Sequence, residues 1–189
     1  MTACGYLYKL DSDLKYIYYL VPKCATRTFF SVFNYPRGGF RKISEYHSDY
    51  FSWGFVRNPF DRTVSVYLNK LLKEGTNVSS SLDKLEVGSF KDFVLCLHDL
   101  DLTCNKTDRH IREQHSFLPK DMDFIGRLES IQEDFNTVCD KIGIPQQDLP
   151  HKNKTNHKHY TEYYDDETKE IIAEKYVKDI EYFGYEYGE

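Results

Sequence analysis

The segment from Lys15 to Phe33 constrains the fold of this chain more than any other. Residues 15–21 form a short β-branched and aromatic run that predicts a buried strand, which Pro22 ends. After a short polar loop, the apolar residues at 29–33 suit a buried helix. A strand, a tight loop and a helix in this order direct backbone N–H groups and the positive helix end at one point. The segment therefore predicts an anion-binding loop.

The predicted anion ligands are the six residues of this loop, namely Lys23, Cys24, Ala25, Thr26, Arg27 and Thr28. Its hydroxyl and cationic groups are able to add charge-assisted hydrogen bonds to those of the backbone. The loop does not fit the G-x-x-x-x-G-K-[ST] pattern of nucleoside-triphosphate sites, because its lysine comes first. We therefore expect a phosphate site of another type.

A second candidate anion site lies in the segment FVRNPFDRTVSVY, residues 55–67. Residues 50–56 predict a strand, and from Pro59 onwards the apolar residues recur with the period of a helix. Arg57 lies where the strand ends, and Ser65 lies about two turns into the helix. We predict that Arg57 and Ser65 bind one phosphate at the same sheet edge as the first loop.

Strand and helix patterns alternate along the rest of the chain. Residues 5–20 predict a hairpin, and residues 123–128 predict a strand. A capping box at residues 130–133 opens the next helix, and Asp165 or Asp166 caps one last helix that runs through Ile180. We therefore predict a single α/β domain over the whole chain, residues 1–189. It is expected to be a three-layer α/β/α arrangement with a mainly parallel central sheet.

Composition and charge narrow the class of protein. The net charge of -5 argues against a nucleic-acid binder, which usually carries a basic face. No apolar run approaches the roughly 20 residues of a membrane span, and no signal-peptide pattern opens the chain. The five cysteines are scattered and lack C-x-x-C spacing, which predicts reduced thiols and no zinc site. These features predict a cytoplasmic protein.

The two phosphate motifs resemble those of sulfotransferases that use 3′-phosphoadenosine 5′-phosphosulfate (PAPS). The order Pro-Lys-small-small-Thr-x-Thr at residues 22–28 is similar to their 5′-phosphosulfate loop, and residues 55–67 are similar to their 3′-phosphate site. Most of the chain resembles the carbohydrate branch, which is Golgi-type sulfotransferase family 2. The resemblance implies a P-loop-like sulfotransferase fold, with Arg57 and Ser65 on the 3′-phosphate.

The later segments resemble the same family with some departures. Residues 109–114 are similar to its His-Trp-x-Pro-Gln segment, but Ile111 and Glu113 stand in place of Trp and Pro. Ala25 likewise stands where Gly is frequent in the family, and Arg27 stands where Ser or Thr is frequent. The basic loop at 151–154 resembles one that closes over the nucleotide, and it supplies Lys152 and Lys154 as further candidate nucleotide ligands.

The resemblance implies transfer of a sulfuryl group from PAPS to a hydroxyl, with a carbohydrate as the expected acceptor. Lys23 is predicted to stabilise the leaving oxygen, and no metal is expected. A hydroxyl acceptor also needs a general base, for which we favour His47. Glu45, His110 and His115 are further candidates.

Two other functions fit the sequence. A P-loop-type small-molecule kinase would use the same fold, but it requires ATP with magnesium and a lysine after the loop. A nucleotide- or glycan-binding module without catalysis would keep both anion sites and lose the base, and the changes at Ile111 and Glu113 are compatible with it.

Overall fold

The computed structural model describes residues 6–35, 49–71, 87–104, 106–150 and 158–189. They form four strands, β1 (Tyr8–Asp11), β2 (Tyr16–Tyr19), β3 (Phe51–Val56) and β4 (Phe124–Arg127). The six helices are α1 (Thr26–Val32), α2 (Pro59–Val66), α3 (Phe90–His98), α4 (Ile131–Ile142), α5 (Asp166–Lys175) and α6 (Val177–Phe183). Within these ranges, no helix has the length and apolar character needed to cross a membrane.

The chain divides into two compact units. The first unit comprises Met1–Arg57 and Ser116–Thr155, and the second unit comprises Asn58–His115 and Asn156–Glu189. All four strands and helices α1 and α4 belong to the first unit, and the other four helices belong to the second. The single domain expected over residues 1–189 stays a prediction.

The sheet has the strand order β1-β2-β3-β4. Strands β1 and β2 are antiparallel, whereas β2 and β3, and β3 and β4, are parallel. The first pair is the predicted hairpin, in which one carboxylate oxygen of Asp11 accepts the N–H groups of Asp13 and Leu14 at 3.0 and 2.9 Å. These strands confirm the predicted α/β class with a mainly parallel sheet.

The core of the first unit is an aromatic cluster between the sheet and two helices. Trp53 of β3 is fully buried and stacks on Tyr18 of β2, with ring centroids 4.3 Å apart. The Phe29 ring of α1 meets the Trp53 ring edge-on at 5.4 Å and lies 5.6 Å from the Phe135 ring of α4. Burial of these rings, with edge-to-face contacts, fixes α1 and therefore the loop that precedes it.

The core of the second unit is built by one apolar face from each of α2, α3 and α5. Its buried members include Val64, Phe93, Leu97 and Ile172. The Ser89 side chain caps α3 by accepting the N–H of Asp92, and Asp165 caps α5 in the same way through Thr168. The cap of α5 settles the choice between Asp165 and Asp166.

The capping box predicted at residues 130–133 is wrong. Ser130 is the N-cap residue of α4, but its side chain makes no capping hydrogen bond. Its hydroxyl instead donates to the Asp134 carboxylate at 2.8 Å. The same carboxylate oxygen of Asp134 also accepts the Arg127 N–H, at 2.6 Å. The Ser130 hydroxyl therefore binds the Asp134 carboxylate, which also binds the backbone of β4, and it does not cap α4.

The single last helix predicted through Ile180 is also wrong, because the chain forms α5 and α6 with a break at Tyr176. This residue has φ -115° and ψ 24°, outside the α-helical region. Its ring is buried, and its hydroxyl donates to the Ile111 carbonyl at 2.6 Å. Since no Gly or Pro marks the break, the pattern of apolar residues alone predicted one continuous helix.

Candidate functional site

The loop between β2 and α1 is a tight turn that contains two left-handed residues. Lys23 has φ 73°, and Ala25 has φ 55° and ψ 16°. A residue with a Cβ in this region costs roughly 1–2 kcal/mol. The Cys24 N–H and the Thr26 hydroxyl both donate to the Val21 carbonyl, at 3.3 and 3.2 Å. The turn is thereby folded back onto the end of the strand segment.

The left-handed conformation at Ala25 gives a physical reason for the glycine that is frequent at this position in the resembling family. Glycine adopts positive φ without a Cβ penalty. Alanine is the smallest residue that bears a Cβ, so the chain keeps the turn at a modest cost. The departure from the pattern at Ala25 thus leaves the backbone of the loop intact.

The first turn of α1 has the features of an anion site. Its N-cap residue, Ala25, has no side-chain acceptor, and no acidic residue lies in the first turn. The Ala25 carbonyl accepts the N–H groups of Thr28 and Phe29, at 2.8 and 3.2 Å. The N–H groups of Thr26 and Arg27, which precede them in the first turn, therefore have no acceptor within the helix. This end carries a partial positive charge, which favours a bound anion.

The predicted ligands of the loop differ in exposure. Arg27 is exposed, whereas Lys23 and Thr26 are half-buried. Cys24 and Thr28 are buried, and the Cys24 thiol donates to the Pro22 carbonyl at 3.7 Å. The buried side chains therefore support the loop, and its accessible groups are the two cations and the backbone.

The side chain of Tyr18, which lies behind the loop, is an uncharged phenol. Tyr18 is fully buried close to Cys24 and Thr26, and its burial raises the pKa of the Tyr18 hydroxyl far above its usual value. The ring therefore adds no negative charge beneath the loop.

The second motif places Arg57 at the same sheet edge as this loop. The β2–β3 register pairs Tyr19 with Gly54 in parallel, so the chain segments that leave the two strands do so side by side. Lys23 and Arg57 both follow strand ends, and Arg57 is half-buried. Both belong to the first unit.

A third cation, Arg127, lies at this edge and was not among the predicted site residues. It is the last residue of β4, pairs with Val56 of β3, and is half-buried. The sequence contained a usable signal, because the carboxyl ends of parallel strands share one edge of a sheet. Arg127 lies near the end of the predicted strand at 123–128, and Arg57 directly follows the predicted strand at 50–56.

Residues 58–67 of the second motif belong to the second unit. Asn58 is fully buried, caps α2 by accepting the Phe60 N–H at 3.0 Å, and donates to the Glu186 carbonyl at 2.8 Å. This structural role was not predicted. Ser65 is buried within α2, and its phosphate-binding role stays a prediction.

The candidate general bases are only partly described. His47, Glu45, Lys152 and Lys154 all lie outside the described residues. His110 contacts the Asp108 carboxylate through Nδ1 at 2.7 Å, and His115 contacts Asp179 in the same way at 2.8 Å. The catalytic roles of the four candidate bases, and the nucleotide-binding roles of Lys152 and Lys154, stay predictions.

Comparisons with known proteins give one match. A family model described as "Sulfotransferase family" matches residues 7–186, and this range includes both phosphate motifs. Searches of curated proteins and of solved structures gave no match. Within the described ranges, no group of three or more His, Cys, Asp and Glu side chains is arranged to hold a metal ion.

Proposed function

We propose that this chain, which belongs to the sulfotransferase family, transfers a sulfuryl group from PAPS to a hydroxyl group of a carbohydrate. The observation that carries the proposal is the start of α1. It is uncapped and free of acidic residues, it follows a left-handed turn that bears Lys23, and Arg57 lies at the same sheet edge. Two cationic positions on neighbouring strands suit a donor with phosphate at both ends.

The proposed donor site uses the two motifs in different ways. Lys23 and the backbone of residues 24–28 would hold the 5′-phosphosulfate, and Arg57 with Ser65 would hold the 3′-phosphate. The guanidinium of Arg57 suits this role because its fork matches two phosphate oxygens. Lys152 and Lys154 would cover the nucleotide.

In the proposed reaction, the acceptor hydroxyl oxygen attacks sulfur, and the bond between sulfur and the bridging 5′-phosphate oxygen breaks. The sulfuryl group moves to the acceptor, and adenosine 3′,5′-bisphosphate leaves. Lys23 neutralises the charge that develops on the bridging oxygen, and His47 takes the hydroxyl proton. Positioning and charge neutralisation dominate such transfers, so the scheme uses no metal.

The proposed acceptor is a carbohydrate because the motifs resemble the carbohydrate branch of the family. Loops on a fixed scaffold determine the acceptor in enzymes of this kind. The segments at 36–49, 74–88 and 100–118 are the proposed acceptor loops. A glycan panel with free hydroxyls at different ring positions is therefore the appropriate substrate set.

A second candidate function is a binding module that lacks turnover. Two observations favour it: Glu113 replaces the proline of the resembling segment and is buried, and Ile111 replaces its tryptophan and is also buried. This module would bind adenosine 3′,5′-bisphosphate and would leave PAPS unchanged.

The decisive experiment combines calorimetry with a transfer assay. Adenosine 3′,5′-bisphosphate should bind to the wild-type chain and bind far more weakly to Lys23→Ala and Arg57→Ala, whereas ATP should bind weakly throughout. Labelled sulfate from PAPS should appear in a glycan. The matched control is Lys141→Ala, which removes an exposed lysine in the last turn of α4.

The outcomes separate the candidates. Bisphosphate binding together with sulfated glycan supports the sulfotransferase. Binding without transfer to any acceptor of the panel supports the module. A chain that prefers ATP, or that binds neither nucleotide, would overturn the proposed donor site.

A further inference from the structure

A cluster of three titratable side chains joins residues 113–115 to α6 in the second unit. At its centre is the Asp179 carboxylate, which is fully buried. One of its oxygens accepts the backbone N–H of Gln114 at 2.6 Å, and the other accepts the backbone N–H of His115 at 2.9 Å. The second oxygen also contacts the His115 ring at Nδ1, at 2.8 Å. One side chain of α6 therefore binds two backbone groups and the ring of this segment.

The opposite side of the same ring faces a second carboxylate. The Nε2 atom of His115 lies 3.7 Å from an Oε2 oxygen of Glu113, whose side chain is 5% exposed. That separation is an ion-pair distance rather than a hydrogen bond. The imidazole of His115 thus lies between two carboxylates, with one beside each ring nitrogen.

The charge balance of the cluster depends on the proton of His115. Lys178 of α6 also acts on both His115 and Glu113, and Asp101, which follows α3, also acts on Glu113. When the ring is neutral, Asp179 and Glu113 leave two like charges in poorly solvated positions, which is costly. When the ring is protonated, both of its N–H groups face a negative partner.

Arg62 and Tyr176 complete the surroundings of the cluster. The Tyr176 hydroxyl, which donates to the Ile111 carbonyl, has its pKa raised by burial to about 12 and therefore stays neutral. The guanidinium of Arg62 opposes that shift, and Asp179 adds to it. Arg62 is always charged, and His115 is the member of this group whose ordinary pKa lies nearest neutral pH.

We propose that Glu113, His115 and Asp179 form a proton-operated latch, which holds residues 113–115 against α6 while the imidazole is protonated and holds them more weakly once it is neutral. The latch acts on the end of the segment at 109–114 that resembles a family motif. It does not involve the residues proposed for the donor site.

The direction of the His115 pKa shift agrees with this latch. The hydrogen bond with Asp179 raises the pKa of His115 above 6.5, and burial raises the pKa of Glu113 above 4.5. A raised folded-state pKa contributes stability that is fully present below the unfolded value and is lost as pH rises through the folded value. For His115 the loss begins near pH 6.5, so the latch loosens on the alkaline side of that pH.

The test measures the ring and the two amides directly in the full chain. Histidine-labelled protein should give an NMR titration of His115 above pH 6.5, and Asp179→Asn should lower that midpoint by about one unit or more. Amide exchange at Gln114 and His115, corrected for its intrinsic pH dependence, should be about tenfold faster after the titration than before it.

A second variant keeps the proposal testable if Asp179→Asn fails to fold. Glu113→Gln removes one of the two carboxylates at nearly constant volume, and it should also lower the His115 midpoint. The control is Asp99→Asn, which disrupts another His–Asp contact. In that contact the His98 Nδ1 atom lies 3.1 Å from the Asp99 carboxylate, and both side chains are exposed. This variant should leave the exchange at residues 114 and 115 unchanged.

The proposal would be overturned by a wild-type His115 midpoint at or below 6.5. It would equally be overturned if corrected exchange at both amides did not change across the titration of the ring.

Discussion

The strand-to-helix junctions after β2 and after β3 differ at the helix N-terminus. After β2, helix α1 begins at the left-handed residue Ala25, without a side-chain cap or an acidic residue. After β3, helix α2 is capped by Asn58 and carries Asp61 in its first turn. A capped and acidic end has already neutralised the positive charge that an uncapped end retains. The same local arrangement thus leaves the positive helix end uncompensated at α1 and neutralised at α2.

The difference also explains why the cations of the two motifs occupy different places. Lys23 lies within the turn that leads into α1, beside N–H groups that need an acceptor. Arg57 precedes the cap of α2, so it would bind an anion through its side chain rather than with the help of the helix end. We therefore expect backbone donors to matter at the first junction and the guanidinium to matter at the second.

The largest effect is expected for Lys23→Ala. Loss of the cation that is proposed to stabilise the leaving oxygen should lower kcat for sulfuryl transfer by about 10²–10³-fold, as for other charge-stabilising groups. The free energy of unfolding should change by no more than about 0.5 kcal/mol, because the side chain is not part of the core. Initial rates with PAPS and urea unfolding measure the two quantities. If Lys23→Ala lost folded structure to the same extent as it lost activity, the result would contradict a role in binding.

The next effect tests the capped junction. Asn58→Ala removes the cap of α2 and leaves the Glu186 carbonyl without its buried donor, which should lower the free energy of unfolding by about 2–3 kcal/mol. Urea denaturation measures this change. Asn58→Asp is the matched variant, since it keeps the capping oxygen and exchanges the N–H donor for a second carboxylate oxygen. Equal stability of wild type and Asn58→Ala would show that the cap is not important.

A smaller effect is expected when α1 is given the acidic first turn of α2. Arg27→Glu places a carboxylate at the exposed start of α1, and it should weaken binding of adenosine 3′,5′-bisphosphate by at least about tenfold through like-charge repulsion. Calorimetry at two salt concentrations measures the loss, which should shrink at high salt. Arg27→Gln separates loss of the cation from gain of the anion. Unchanged affinity in Arg27→Glu would place the anion elsewhere.

The smallest effect concerns the strain at the first junction. Ala25→Gly removes the Cβ from a left-handed residue but gives the unfolded chain more freedom, so the two terms nearly cancel and leave a change within about 1 kcal/mol. Ala25→Val, by contrast, should destabilise the chain by more than that, because a β-branched residue tolerates positive φ poorly. Thermal unfolding of both variants gives the comparison. A stable Ala25→Val would indicate that the turn takes another conformation.

The sequence by itself determined the local elements of this protein and the cations that follow two of its strands. The hairpin at 8–19 and strands β3 and β4 follow from patterns within about a dozen residues. So does the position of Lys23 in its loop. These features depend on side-chain periodicity and backbone preference, which a short segment already carries.

Only the tertiary structure decided where the buried polar groups find their partners. Asn58 binds the Glu186 carbonyl, Asp179 binds the amides of residues 114 and 115, and Tyr176 interrupts the last predicted helix by bonding to Ile111. Each contact joins residues that lie far apart in the sequence, so no local pattern encodes it. A buried donor or acceptor must be satisfied by whichever group packing brings near, and that choice exists only after the chain has folded.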